Sequence, residues 1–245
     1  MIKIDNLSLS FGEKVLFVSA QAEIPDNKLT VVLGSNGTGK TTLFKIISGN
    51  LKAESGKVSH DFKKIFFLPQ NIKYPDGLTL FEYVTSFFYA TSFKWFLSKE
   101  EITETEKILN LLDLTDRKNI LIEKLSSGEL QKANIAAALL SKADCLLLDE
   151  PTSNMDLTNQ IKTTEILKKL QNHGITCVMI THDLNSAAAF GGYFIGLNKE
   201  HKIISGQKSE FFTEENLKNI FGIDFNINKS NEDIIISVKN TNDIL

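Results

Sequence analysis

The stretch "LTVVLGSNGTGKTT", residues 29–42, decides the fold. Leu29 to Leu33 form a short, uninterrupted apolar run, the pattern of a strand covered on both faces. It runs directly into "GSNGTGKTT", Gly34 to Thr42, and a helix is expected next, ending near Ser48 and Gly49. Strand, glycine-rich loop and helix in that order fit the pattern G-x-x-x-x-G-K-[ST]. The glycines Gly34, Gly37 and Gly39, with Ser35, Asn36 and Thr38 between them, let successive backbone N–H groups turn toward one point. The helix N-terminus beginning at Lys40 aims its dipole there, which makes a cradle for β- and γ-phosphates. Lys40 adds a mobile cation, the Thr41 hydroxyl is a magnesium ligand, and Thr42 closes the motif.

Three further apolar runs, "CLLLDE", "ITCVMIT" and "YFIGL", read like the first and predict a parallel sheet. In "CLLLDEP", residues 145–151, a strand carries two adjacent carboxylates to its C-terminal end, the edge at which open α/β sheets bind ligands. Adjacent strand residues point to opposite faces, so Asp149 is expected at the magnesium and Glu150 at a water placed to attack the γ-phosphate. Alternation in "KIDNLSLSF" and "KVSHDFKKIFFL" predicts half-exposed antiparallel strands. Residues 157–173 read as a helix with Asp156 or Thr158 as N-cap and Gly174 just past its end. From about Asp76 to Ala143 helical signals replace strand signals, which marks an inserted helical subdomain.

The bulk properties agree with an ordinary domain. The chain has 245 residues, 42% hydrophobic and 23% charged, with a formal net charge of -3. That lacks the basic stripe of a polyanion binder, and no nucleic-acid partner is expected. Cys145 and Cys177 are the only cysteines, and both lie in apolar runs, so they read as buried free thiols. No run approaches ~18 apolar residues, and the opening "MIKIDNLSLS" lacks the regions of a signal peptide, so a cytoplasmic location is expected.

"EKLSSGELQKANIAAALL", residues 123–140, has two readings. Ser126-x-x-Glu129 ahead of an apolar run is a capping box. The same peptide looks like the signature of ATP-driven transporters, with Ser127 where glycine is usual and Glu129 where glutamine is common. With the phosphate loop and the "LLLDEP" strand upstream and downstream of it, it makes the chain from about Phe11 to Gly222 resemble the ATP-binding subunit of an ABC transporter.

That resemblance implies a P-loop NTPase of RecA-like α/β architecture. A parallel-sheet core and an antiparallel β subdomain would occupy residues 1–75 and 144–222, the helical subdomain 76–143, and a C-terminal tail 223–245. It implies an ATPase using ATP and Mg2+. Phe11 would stack on adenine, and Gln70 would be the Q-loop residue near magnesium and the attacking water. His182 would be the switch histidine, and Ser126, Ser127, Gly128 and Glu129 would act on ATP bound to a second copy of the chain. Asp156 would end the D-loop, "SNMD", which departs from the usual small-residue form at Asn154 and Met155. The single arginine, Arg117, sits in the polar "LTDRKN" and reads as a solvated loop charge, so no arginine finger is expected from this chain.

"THDLNSAAAF" and "SGQKSEFFTEENLKNIFGIDF" are similar to the ATPases of iron-siderophore, haem and cobalamin importers. This implies integral membrane permease partners, a substrate-binding protein acting with them, and a place on the cytoplasmic face of the membrane. An exporter of lipid or haem, or a non-transport ABC ATPase, is the alternative. "FEYVTSFFYATSFKWF", residues 81–96, holds eight aromatic residues. Helical spacing of Phe81, Val84, Phe88 and Trp95 makes it core, while Tyr83 and Phe87 are candidates for a groove that receives a membrane subunit.

Overall fold

The computed structural model describes residues 1–89, 96–230 and 233–239. Alternation in the first ten positions produces β1 (Ile2–Phe11), which buries Ile2, Ile4, Leu7 and Leu9 and pairs antiparallel with β2 (Lys14–Ile24). The chain then passes through the fully buried β3 (Leu29–Gly34) into helix α1 (Lys40–Ile47). From there β4 (Ser55–Ser59) returns to the free edge of β1, and β5 (Ile65–Leu68) enters a different sheet. The expected single strand "KVSHDFKKIFFL" is thus two strands in two sheets. The division follows from Asp144, whose Oδ2 accepts from the backbone N–H of Lys63 (2.8 Å) and Lys64 (3.1 Å) and redirects the chain between them.

Helices α2 (Leu80–Tyr89), α3 (Lys99–Leu111) and α4 (Ser127–Leu140) follow, before β6 (Cys145–Asp149). Their apolar faces close on a cluster of their own, with Leu80, Val84, Phe88, Leu109, Ile135 and Leu140 at its centre. Within the aromatic stretch, Tyr83 and Phe88 are buried, Phe81 and Phe87 half-buried, and Phe96 85% exposed, while Trp95 lies outside the described residues. Tyr83 belongs to the core for a polar reason as well. Its hydroxyl donates to Asn134 Oδ1 (2.8 Å), and Asn134 Nδ2 donates to the Tyr74 hydroxyl oxygen (2.8 Å).

After β6 come α5 (Leu157–Lys169), β7 (Thr176–Ile180), α6 (Leu184–Phe190), β8 (Tyr193–Leu197) and β9 (Ile203–Gly206). Asp156 caps α5 by accepting from the Asn159 N–H at 2.8 Å, and the helix tightens into a 3₁₀ turn over residues 170–173 before Gly174 ends it at φ 75°. Short helices α7 (Lys208–Phe211) and α8 (Glu214–Phe221) lead to a hairpin, β10 (Phe225–Ser230) and β11 (Asp233–Val238). This hairpin was not foreseen from the sequence. It docks on α6, where Asn185 donates through Nδ2 to the Ile236 carbonyl (3.2 Å) and accepts through Oδ1 from the Ile236 N–H (2.9 Å).

The main sheet has the order β5-β6-β7-β3-β8-β9, parallel except for β9 at its edge. Its strands feed two cores. Val32, Leu147, Val178 and Ile195 face the antiparallel sheet and α1, while Val31, Leu146, Cys177 and Phe194 face the other layer, where α6 to α8 pack. Burial on both faces is why these strands read as continuous apolar runs rather than as alternation. Cys145 and Cys177 are buried free thiols, as expected.

Candidate functional site

In the sheet order, β5, β6, β7 and β3 are consecutive neighbours and parallel, so their C-terminal ends open at one edge. Just beyond those ends lie Gln70, the Asp149–Glu150 pair, His182 and the loop 34–39. They meet in a cleft of about 660 Å³ whose walls include Phe11, Lys40, Thr41, Thr42 and Asn36 as well.

The glycine loop is built as a cradle. Gly37 and Gly39 take φ 79° and 99°, in the left-handed region where a Cβ is strained. At Gly34 a Cβ would sit 2.7 Å from the Leu197 carbonyl oxygen of β8, so only glycine lets the loop leave β3 at this point. Gly39 precedes α1 without any side-chain cap, which leaves the first N–H groups of that helix to face the cleft. Lys40 is buried and donates through Nζ to the carbonyls of Gly34 (2.8 Å) and Ser35 (3.0 Å). Burial lowers its pKa, and the carboxylates Glu150 and Asp149 oppose that shift.

Opposite the loop, Thr41 Oγ1 donates to Asp149 Oδ2 at 2.6 Å, although 108 positions separate them in sequence. Asp149 is 2% exposed. Burial pushes its pKa up, and the Thr41 hydrogen bond works against that rise. A desolvated carboxylate beside a hydroxyl is an oxygen donor pair that suits a hard divalent cation.

Glu150 parts from Asp149 for a different reason than strand alternation. β6 ends at Asp149, and Glu150 adopts φ 54°, a left-handed turn residue. The turn is held by its carbonyl, which accepts from Ser153 N–H (3.1 Å), Ser153 Oγ (2.9 Å) and Gln131 Nε2 (3.2 Å). Thus the carboxylate swings into the cleft, where Oε2 accepts from Gln70 Nε2 at 2.7 Å and Oε1 lies 2.8 Å from His182 Nε2. The result is a carboxylate gripped on both oxygens by residues just past the ends of two other strands, β5 and β7, which can hold a water and take its proton. Gln131 was not singled out from the sequence. Its only trace there is its place two residues after Glu129.

The residues Ser126 to Glu129 stand outside this cleft, at the start of α4. The capping box is complete: the Glu129 N–H donates to Ser126 Oγ (3.3 Å), while Glu129 Oε2 accepts from the Ser126 N–H (2.8 Å) and hydroxyl (2.8 Å). Ser126 and Ser127 are exposed, and the N–H groups of Ser127 and Gly128 have no acceptor among the described residues. A Cβ on Gly128 would meet only the Asn154 carbonyl at 3.5 Å, an ordinary contact, so packing within this chain does not require glycine there. Asp156, expected in the D-loop, serves as the N-cap of α5. Arg117 is half exposed but not merely solvated, since its Nε donates to Glu129 Oε1 at 2.7 Å.

Comparison with known proteins agrees with this geometry. Residues 18–153 match the ABC transporter family. The iron(3+)-hydroxamate import ATP-binding protein FhuC of Bacillus subtilis is 33% identical over 241 residues, covering 92% of this chain and 89% of the relative. A chain from an inward-facing structure described as a metal-chelate type ABC transporter superposes with a TM-score of 0.84 at 26% identity, over 96% of this chain and 95% of that one. MJ0796, a bacterial ABC transporter cassette solved as a dimer, gives a TM-score of 0.73 at 27% identity, over 85% and 99%. With a phosphate cradle, a hydroxyl–carboxylate pair and a gripped glutamate at one sheet edge, and with these relatives, the chain belongs to the ABC transporter family as an ATP-binding, ATP-hydrolysing subunit.

Proposed function

We propose that the chain powers import of an iron chelate by closing on ATP as a symmetric dimer, one copy against another. The observation that carries this reading is the Glu150 carboxylate held by Gln70 and His182 within the same cleft as the phosphate cradle. Phe11, 53% exposed at the mouth of the cleft, stacks on the adenine. The loop Gly34 to Gly39 and the N-terminus of α1 bind the phosphates, with Thr42 beside Thr41 at that helix start. Lys40 leaves the Gly34 and Ser35 carbonyls to meet the γ-phosphate. Thr41, Asp149 and Gln70 would hold Mg2+, which would supply positive charge to neutralise the phosphates. Glu150 orients the water and takes its proton, and His182 keeps Glu150 and the γ-phosphate in line. Ser126, with the free N–H groups of Ser127 and Gly128, receives the γ-phosphate of the partner copy's ATP, and Asp156 sets the loop that crosses toward it.

In this reading the cassette core spans 1–75 and 144–222, with 76–143 as its helical arm. No helix among the described residues is long and apolar enough to cross a membrane. Transport therefore falls to permease subunits, with a substrate-binding protein delivering cargo and this chain lying on their cytoplasmic face. Support for the cargo comes from the relatives, which are named for hydroxamate and metal-chelate transport.

Mixing tests the dimer. Lys40→Ala disables a copy's own cradle and Ser126→Arg disables what it offers its partner, so each homodimer should be nearly inactive. In a mixed dimer one of two sites pairs an intact Lys40 with an intact Ser126. Random exchange makes about half the dimers mixed, so independent sites recover roughly a quarter of wild-type turnover. Subunits that demonstrably exchange and regain no activity would refute the arrangement. Cargo is tested separately, by ATPase stimulation of the reconstituted complex with ferric hydroxamate against free manganese.

A further inference from the structure

The single arginine of the chain pairs with the one carboxylate at the N-terminus of α4, and that placement raises an electrostatic question. Glu129 is anionic at this end of the helix: the hydrogen bonds from Ser126, its backbone N–H foremost, and the pairing with Arg117 hold its carboxyl below the ordinary carboxylate range. Both oxygens are used, Oε2 on Ser126 and Oε1 on Arg117. The Ser126 hydroxyl has one proton and spends it on Glu129 Oε2 at 2.8 Å. A phosphate arriving at the free N–H groups of Ser127 and Gly128 would therefore meet a carboxylate and a hydroxyl that is already committed.

We propose that Arg117 is a positioning residue for the trans phosphate site. It cancels the charge of Glu129 and holds its carboxylate back against the cap, so that the Ser126 hydroxyl can turn its proton to the partner copy's γ-phosphate. This rests on the reading that the start of α4 receives that phosphate. Arg117 lies in a separate turn, residues 115–117, closed by its backbone N–H donating to the Leu114 carbonyl at 2.9 Å, and the Leu114 N–H ties that turn to α3 by donating to the Leu109 carbonyl at 2.8 Å. Its guanidinium can thus stay in place while the hydroxyl of Ser126 rotates. Arginine suits this better than lysine, because its planar fork keeps a fixed direction on a carboxylate.

The test is a double-mutant cycle on ATP-driven dimerisation, measured by sedimentation in a Glu150→Gln background with Mg-ATP. Arg117→Gln should weaken the dimer by roughly 3- to 30-fold, from a factor of about 2 to 5 at each of two equivalent sites, the range for a charge at a helix N-terminus. ATP affinity of the dilute monomer should not change, because Arg117 is not among the residues lining the cleft that holds Phe11 and Lys40. The defect should shrink as salt rises toward about 1 M, where the Debye length falls to ~3 Å. In the E129Q background, Arg117→Gln should change dimerisation by no more than about twofold, since no charge remains to be cancelled.

Circular dichroism is the fold control: each variant should keep the wild-type helix content. An Arg117→Gln defect that persists undiminished in the E129Q background overturns the proposal, because Arg117 would then act on the phosphate or the fold and not through Glu129. Ser126→Arg serves as the control in the same assay. If it dimerises like wild type, the trans reading itself fails; if it abolishes dimerisation while Arg117→Gln does nothing, only the role of Arg117 is refuted.

Discussion

Glu150→Gln isolates the chemistry of the site from its architecture. The substitution keeps the shape of the side chain and the left-handed backbone at φ 54°, which glutamine tolerates no better and no worse than glutamate. It also keeps the hydrogen bonds available. The amide oxygen can accept from His182 Nε2, and the new amide nitrogen can donate to Gln70 if that side chain turns over, replacing the contacts now at 2.8 and 2.7 Å. The backbone anchors from Ser153 and Gln131 to the Glu150 carbonyl are untouched. What disappears is the capacity to take a proton from water. That loss should lower single-turnover hydrolysis by roughly 10²- to 10⁴-fold, the usual worth of a positioned general base. Equilibrium binding of ATP should stay within about threefold, and dimers should accumulate on a sizing column because the step that dissolves them is slow. Glu150→Ala should lose as much rate and also free Gln70 and His182, so its ATP dimer should be weaker than that of Glu150→Gln. A Glu150→Gln protein that hydrolyses within about threefold of wild type would refute the assignment.

Three further outcomes follow from other contacts. Asp149→Asn keeps an acceptor for Thr41 but removes a buried charge whose pKa burial has raised. For an acid raised on folding, the native state holds more protons than the unfolded one between the ordinary and the raised value, so stability falls as pH rises through that window. Nucleotide-free Asp149→Asn should accordingly melt above wild type at pH 7 to 8, with the gap closing below about pH 4, and Mg-ATP should reverse the order; a variant that melts lower at pH 8 would contradict this. Tyr83→Phe leaves Asn134 Oδ1 unpaired in the helical core and should cost about 1–3 kcal/mol, a fall in Tm of roughly 3–10 °C by calorimetry, whereas an unchanged Tm would place Tyr83 outside the core. Asn185→Ala removes both bonds to Ile236, so hydrogen exchange should quicken in the β10–β11 hairpin well before the main sheet, and equal protection in both proteins would show the clamp to be idle.

The features legible in the sequence are those governed by near neighbours. The cradle from Gly34 to Thr42 is a contiguous motif whose backbone demands are met by its own glycines. The buried strands show as apolar runs, the Ser126–Glu129 box and the Asp156 cap act over three residues, and Gly174 ends its helix locally. Roles for Phe11, Gln70 and His182 came from resemblance, since a lone aromatic, amide or imidazole carries no local signature.

Tertiary structure decided everything that depends on strand order. Thr41 and Asp149 touch because β3 and β6 flank β7, and Gln70 reaches Glu150 because β5 lies beside β6. Glu150 departs from Asp149 through a turn that Gln131 of a distant helix helps to hold, which the simple alternation of a strand did not anticipate. The same holds for Arg117, which reads as a loop charge until the helical subdomain folds and sets it on Glu129, and for Asn134 and Asn185, whose partners Tyr83 and Ile236 are each 51 positions away. Periodicity reports which face of an element is buried, because burial is a property of one element at a time. A polar pair across elements has no period, and only the packing of the whole chain brings its two halves within hydrogen-bond distance.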